Sequence, residues 1–288
     1  MTAQRFGSAH TEKKLQKVSA YLERFTTVLK NQPFKTLYVD AFAGTGAWGK
    51  KDDADRQLEL IELAPIAKGS AKRALEVKPP FSHYIFIEKS PRKFRELLHL
   101  QDEYPDQKDR MTFLNQDANI AILDLCRNTD WRLTRAVVFL DPFGMQVNWS
   151  TVEALAKTKA VDLFYLVPTG IGINRQIPRV GEIPKRRGER IDIVLGTTEW
   201  RQQFTRIEQS PSDLFGLNVC QQVKVGNVAA VTEFVLERLR SIFAGGVAEK
   251  WLLLGKKGLP MYSLVFACAN PNKKASSLAL RLANAILK

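Results

Sequence analysis

Only three of the 288 residues are cysteines, Cys126, Cys220 and Cys268, and they lie far apart. An odd, scattered set excludes a disulfide framework and supplies no cysteine cluster for a metal. His10, His83 and His99 show no metal-ligand spacing either, so no metal site is expected. No apolar run approaches the roughly 18 to 20 residues that cross a bilayer. The opening "MTAQRFGSAHTEKKLQ" lacks the apolar stretch of a secretory signal. A reducing cytoplasm is the expected setting, with no membrane partner. Nucleotide fingerprints are also missing or incomplete. No Gly-Lys-Ser/Thr triplet follows "GTG", which argues against a P-loop. Gly44 and Gly46 are joined by a third glycine only at Gly49, after the bulky Trp48. Glu88 lies 42 residues beyond Gly46, whereas a nicotinamide site places its acid about 20 residues on. An NAD-dependent oxidoreductase is disfavoured on both counts.

What is abundant is positive charge and alternating apolar segments. The net charge of +13 is enough to attract a polyanion. Its distribution is uneven. Residues 175–190, "RQIPRVGEIPKRRGER", are strongly basic, and from residue 250 onward there are seven Lys or Arg and no Asp or Glu. DNA or RNA is the sharper expectation from this pattern, and a solvated basic surface is the plainer one.

The pattern predicts an α/β chain. In residues 11–30, Leu15, Val18, Leu22, Phe25 and Leu29 recur at helical spacing, and Thr11 is suited to cap the start. Short apolar runs then alternate with helical ones. The strands are "TLYVDAFAG", "HYIFIEKS", "RMTFLNQDA", "RAVVFLDPF" and "AVDLFYLVPTG". Alternation of this kind implies parallel strands covered on both faces. Residues 170–215 carry many Gly and Pro breakers and read as a basic insertion or lid. "KWLLLGKKGLPMYSLVFACANP" reads as a terminal antiparallel pair, and "KKASSLALRLANAILK" as a last helix. About seven strands are expected, mostly parallel. Residues 1–35 form a helical extension in this reading, and 36–169 with 216–288 form the core.

Ligands of such sheets bind outside the carboxyl ends of the strands. Four acids fall there: Asp40 after "LYV", Glu88 after "YIFI", Asp117 after "MTFLNQ" and Asp141 after "VVFL". Gly44 and Gly46 follow the first and allow a close backbone approach. Carboxylates at this turn are poor company for a phosphate and better company for a cationic amino-acid or sulfonium ligand.

"VDAFAGTGAWG" resembles the motif that opens the Rossmann-like class I S-adenosylmethionine-dependent methyltransferases, and Glu88, Asp117 and "FLDPFG" follow in the corresponding order. "LYVDAFAGTG", "FLDPFGMQVNW" and "FYLVPTG" resemble, more narrowly, the three-Cys-motif partner protein family, over nearly the whole chain. The three cysteines of that name belong to the partner. The resemblance implies S-adenosyl-L-methionine as cofactor. Asp40 would place its amino-acid portion, Gly44 and Gly46 would wrap it, Glu88 would hold the ribose hydroxyls, Asp117 would orient the adenine, and Phe42 would shape an apolar wall. It further implies an amine pocket at Asp141, Pro142 and Phe143. There Asp141 and the Pro142 carbonyl would accept bonds from an exocyclic amino group and Phe143 would stack on the base. The motif reads Asp-Pro-Phe-Gly where the broad class has Asp-Pro-Pro-aromatic, so the second proline is missing.

Other readings stay open at this level. Asp40 and the glycines also make an ordinary turn, Glu88 a helix start and Asp117 a helix cap. The chain is then a noncatalytic or partner-dependent module with a three-Cys-motif protein as partner, or a methyltransferase of proteins or small molecules. Trp149 either lines the pocket or anchors a helix. Cys126 and Cys268 sit in apolar patterns and read as core.

Overall fold

The computed structural model describes residues 6–46, 69–211, 218–256 and 259–288. The first helix, α1 (Phe6–Leu29), leads into β1 (Lys35–Asp40). There follow α2 (Ser70–Leu75), β2 (His83–Ile87), α3 (Pro91–Leu97), α4 (Leu100–Glu103), a 3-10 turn, β3 (Met111–Leu114) and α5 (Ala118–Asn128). β4 (Thr134–Leu140), α6 (Trp149–Lys157) and β5 (Val161–Val167) continue the alternation. After a π-helical turn at Thr169–Asn174 come α7 (Lys185–Leu195), α8 (Trp200–Phe204), β6 (Thr205–Pro211) and β7 (Asn218–Lys224). The chain closes with α9 (Val228–Ile242), β8 (Gly246–Val247), β9 (Leu252–Lys256), β10 (Leu259–Cys268) and α10 (Lys273–Leu287).

The main sheet runs β3-β2-β1-β4-β5-β10-β8, with β9 also paired to β10. The first five strands are parallel, and β10 is antiparallel to β5. This is the mostly parallel sheet with an antiparallel terminal strand of the Rossmann-like class I methyltransferase fold. Among the described residues it carries eight strands where about seven were expected, because the two-residue β8 adds a short edge. Order reverses at β1, whose neighbours are β2 and β4, and this is where such sheets open a crevice for ligands.

Side-chain alternation assigns each strand residue to a face. Tyr38, Tyr84, Phe86, Val137, Phe139, Phe164 and Phe266 pack under α1, α2 and α10. Val39, Ile85, Val138, Leu163 and Val265 pack under α5, α6, α7 and α9. α1 lies directly on the first face. Leu15, Val18, Leu22 and Phe25 are buried as their spacing predicted, and Tyr21 joins them, its ring 5.1 Å from that of Phe164. Thr11 does not cap this helix, because α1 already begins at Phe6, which leaves Thr11 inside it. Ser90 does cap α3, accepting a bond from the Lys93 N–H, with Pro91 at the first turn.

Residues 170–211 are more regular than their breakers suggested. They contain the π-helical turn, α7, α8 and β6, and β6 pairs with β7 in a separate two-stranded sheet. Gly and Pro here keep the elements short without abolishing them. Trp149 begins α6, is 2% exposed and lies beneath the Arg238 guanidinium at 4.9 Å, so it anchors the helix to the core. Cys126 is partly buried and Cys268 buried, and burial pushes the Cys126 thiol up to about 12. Neither is an activated nucleophile.

Candidate active site

Parallel pairing aligns the strand exits. Asp40 stands opposite Phe86 of β2 and Phe139 of β4. Glu88 and Asp141 lie two residues beyond those partners, on the same alternation as Phe86 and Phe139. Asp40, Glu88 and Asp141 therefore emerge on the α1 side, at one end of three adjacent strands.

Asp40 is fully buried. Its carboxylate accepts bonds from the Phe42 N–H at 3.3 Å and the Tyr38 hydroxyl at 3.5 Å. Burial raises the carboxyl to about 7; the Ser70 hydroxyl opposes this, the Asp141 charge adds to it, and the Phe42 N–H and Lys14 oppose it. Near neutral pH, Asp40 thus passes between a neutral acid and an anion.

The turn after β1 is shaped by two glycines in the left-handed region, Gly44 at φ 63° and Gly46 at φ 68°. The Gly44 N–H donates to Glu88 Oε2 at 3.0 Å, and the Ser90 N–H donates to Glu88 Oε1 at 2.7 Å. Glu88 therefore couples the β1 turn to the start of α3, and each of its oxygens retains a further lone pair. A Cβ at Gly44 would meet nothing within 4 Å, so the backbone there borders open space. At Gly46 a Cβ would stand 3.0 Å from Leu97 and Leu100 Cδ1, so that glycine permits close packing. Phe42 is partly buried against the α5–α6 core. The segment 47–68, which includes Trp48 and Gly49, lies outside the described residues.

Asp117 stands apart from the other acids. It is the N-cap of α5, accepting the Asn119 N–H at 3.0 Å, and it pairs with Lys89 at 3.1 Å. Its carboxyl is lowered: burial pushes upward, but the bonds from Asn119 and Lys89 outweigh it. Asn119 in turn accepts from the Asn148 N–H at 2.9 Å and donates to Gln146 O at 3.0 Å. The capping residue is thus tied to the loop that follows β4.

That loop begins with Asp141 and Pro142. Pro142 is buried, whereas Phe143 is 49% exposed, beside a left-handed Gly144. From α7, Arg190 donates to Met145 O and to Asn148 Oδ1. The basic segment is therefore docked on the Asp141 loop, with Lys185, Arg186 and Arg187 exposed at its outer end.

The residue that sequence reasoning missed is Lys14. Its Nζ lies 2.5 Å from Asp141 Oδ2 and 5.9 Å from the centroid of the Phe139 ring. Helical spacing contained a weak signal, since Lys14 falls four residues before Val18 and seven before Tyr21. Ser70 was missed too, because it reaches Asp40 only through the placement of α2.

Asp40 and Asp141 share Lys14, and Glu88 stands at the neighbouring strand exit, which makes an acid-rich cluster. It would repel a phosphate and suit a ligand carrying an ammonium or sulfonium together with a diol. Among the described residues no group of His, Cys, Asp and Glu is arranged to hold a metal, and no helix is long and apolar enough to cross a membrane.

The sheet order defines a class: the fold of the class I S-adenosylmethionine-dependent methyltransferases. No family model and no curated protein matches the chain. Several solved structures are similar to it. An S-adenosylmethionine-dependent methyltransferase from Clostridium acetobutylicum is 9% identical, with a TM-score of 0.37, over 88% of this chain and 91% of that one. Protein LPL1258 from Legionella pneumophila is 16% identical, with a TM-score of 0.39, over 84% and 94%. The N-terminal domain of EvdMO1, crystallised with SAH and D-fucose, is 10% identical, with a TM-score of 0.39, over 88% and 83%. Likenesses this distant carry no assignment of substrate or activity.

Proposed function

We propose that this chain is an S-adenosylmethionine-dependent methyltransferase whose acceptor is an exocyclic amino group of a base in DNA or RNA. The observation that supports it most is the grouping of Asp40, Glu88 and Asp141 at adjacent strand exits, next to an exposed Phe143 and a basic helix docked on the same loop. When bound, S-adenosylmethionine supplies an electrophilic methyl group on a sulfonium. The protein's work is then to align a nucleophile and exclude water.

In this reading Asp40 holds the amino-acid end of the cofactor, and the backbone at Gly44 and Gly46 wraps it. Glu88 accepts the ribose hydroxyls through the lone pairs left by Gly44 and Ser90. Asp117 keeps its cap through Oδ1 and turns Oδ2, shared with Lys89, to the adenine amino group. Phe42 forms an apolar wall. Asp141 and the Pro142 carbonyl accept the two N–H bonds of the acceptor amine, which directs its lone pair at the methyl group. Phe143 stacks on the base, a contact worth about 1–3 kcal/mol. A base in duplex DNA must first leave the stack, a demand that single strands and RNA loops relax. Lys185, Arg186 and Arg187 hold phosphates without reading sequence.

A second reading draws on the narrower resemblance to the three-Cys-motif partner proteins. The β6–β7 sheet stands outside the main sheet and exposes Ile207 at 76%, with Val180 bridged to its edge and 56% exposed. An exposed apolar edge suits a protein partner, which would then complete the activity or replace it.

Incubation with methyl-labelled cofactor and separate DNA, RNA and protein pools, followed by mass analysis, tests both. A methylated base amine is the expected product. No binding of the cofactor by the purified chain, with and without cell extract, would refute the enzyme reading.

A further inference from the structure

Lys14 is the charged residue for which the proposed chemistry has no task. An ammonium on the sheet-facing side of α1, 7% exposed among Leu15, Val18, Tyr21 and Leu22, is destabilising unless it is paired. It is met by Asp141, 127 residues away in sequence. The contact uses Oδ2 alone, and Oδ1 has no hydrogen-bond partner among the described residues. Nor is α1 free to roll the ammonium aside. The Tyr21 hydroxyl donates to buried Asp162 at 2.7 Å, and Arg73 of α2 donates to Glu12 at 2.6 Å, so the helix is tied on both sides of Lys14. The carboxylate's orientation is therefore set by rigid elements.

We infer that Lys14 is a positioning residue: it clamps Oδ2 of Asp141, leaves Oδ1 to receive the acceptor's N–H, and places a counter-charge beside Asp40. The inference rests on the reading of Asp141 as the acceptor-binding group. Asp40 faces Tyr38 from its own strand, Asp141 from the exit of β4, Ser70 from α2 and Lys14 from α1. Asp141 increases its hold on a proton and Lys14 decreases it. With the lysine gone, Asp40 loses a charge that favours its ionised form, and Asp141 Oδ2 loses the donor that fixes its orientation.

The test uses the full chain with Lys14→Met and Lys14→Arg. Two measurements are made: transfer kinetics on whichever pool the wild type labels, and a carboxyl-carbon NMR titration of Asp40 that needs no acceptor. Lys14→Met is expected to lower kcat by about 10- to 100-fold, the scale of a misaligned reacting group. Cofactor Kd should weaken only as far as the shift in the Asp40 titration dictates, so a fall in kcat beyond that weakening marks positioning and not lost binding. Lys14→Arg should restore much of the rate, and Asp40 should titrate at higher pH in Lys14→Met. Should the methionine chain fail to fold, Lys14→Gln replaces it: loss of the charge should still raise the pH at which Asp40 titrates, and a retained amide donor to Asp141 should make the fall in kcat smaller. Transfer by Lys14→Met as fast as wild type would overturn the inference, and faster transfer would identify the lysine as a plug in the acceptor seat. An unmoved Asp40 titration would overturn the counter-charge role. If the wild type labels no pool, the proposed function fails by itself, and the titration still decides whether Lys14 governs the charge of the crevice.

Discussion

Asp40→Asn is expected to stabilise the fold at pH 8 while weakening cofactor binding. Burial is the main reason the Asp40 carboxyl rises from its ordinary 3.8 to about 7 in the folded chain. The folded state therefore holds this proton more tightly than the unfolded state does. The resulting stability is fully present below about pH 4 and is lost as pH rises through about 7. Each tenfold difference in proton affinity is worth about 1.4 kcal/mol, so carrying the buried anion at pH 8 costs about 4 kcal/mol. An asparagine cannot accept every bond that Phe42, Tyr38 and Ser70 direct at the carboxylate, which lowers the expected gain to about 2–4 kcal/mol. Urea unfolding of both chains at pH 5 and pH 8 measures it. The stability difference between variant and wild type should grow in favour of the variant across that interval and level off above it. A difference that is the same at both values would refute the reasoning. Calorimetric titration with S-adenosylmethionine supplies the other half: unchanged affinity in Asp40→Asn would remove Asp40 from the cofactor site.

Three further outcomes are expected. Glu88→Gln replaces a charged acceptor shared by Gly44 and Ser90 and should weaken cofactor binding by about 10- to 100-fold, the equivalent of a lost charge-assisted bond of about 1.5–3 kcal/mol; calorimetry reads the change. Tyr21→Phe removes the hydroxyl donor to buried Asp162, which burial raises to about 6 and which keeps the Cys268 thiol as partner, and should cost about 1.5–3 kcal/mol above pH 7 in denaturant unfolding, with a smaller loss at pH 5 where Asp162 is already protonated. Replacing Lys185, Arg186 and Arg187 together with alanine should reduce the salt dependence of polynucleotide binding by about 2 to 3 in log–log slope, at about 0.9 for each phosphate contact with duplex DNA. Cofactor affinity should not change in that variant, and retained polynucleotide binding would redirect the basic face to an acidic protein.

Much of this architecture is visible in short windows of sequence because its causes are local. Apolar runs of four to seven residues alternating with helical periodicity specify a parallel sheet with two covered faces. An acid just past "LYV", "YIFI" and "VVFL" must then stand at a strand exit. Ser90-Pro91 announces the start of α3 for the same reason: a capping hydroxyl and a proline act on the backbone beside them. The start of α1 was misplaced at Thr11 because the residues before it lack a clear apolar stripe. The segment after β5 looked irregular because its breakers hid short elements whose stability comes from packing on the Asp141 loop and on β7.

Sequence by itself determined the fold class and the row of acids, since both follow from periodicity and chain direction. Tertiary structure decided what the acids do to one another. Asp40 rises to about 7 only because α1, α2 and two neighbouring strands enclose it. Asp117 caps its own helix through Oδ1 and meets Lys89 through Oδ2, and Trp149 lies buried beneath Arg238. Lys14 lies 127 residues from Asp141 and meets it only when α1 lies down across β4 and β5. An ion pair leaves no mark on the residues adjacent in sequence, and its strength depends on burial that the whole sheet creates.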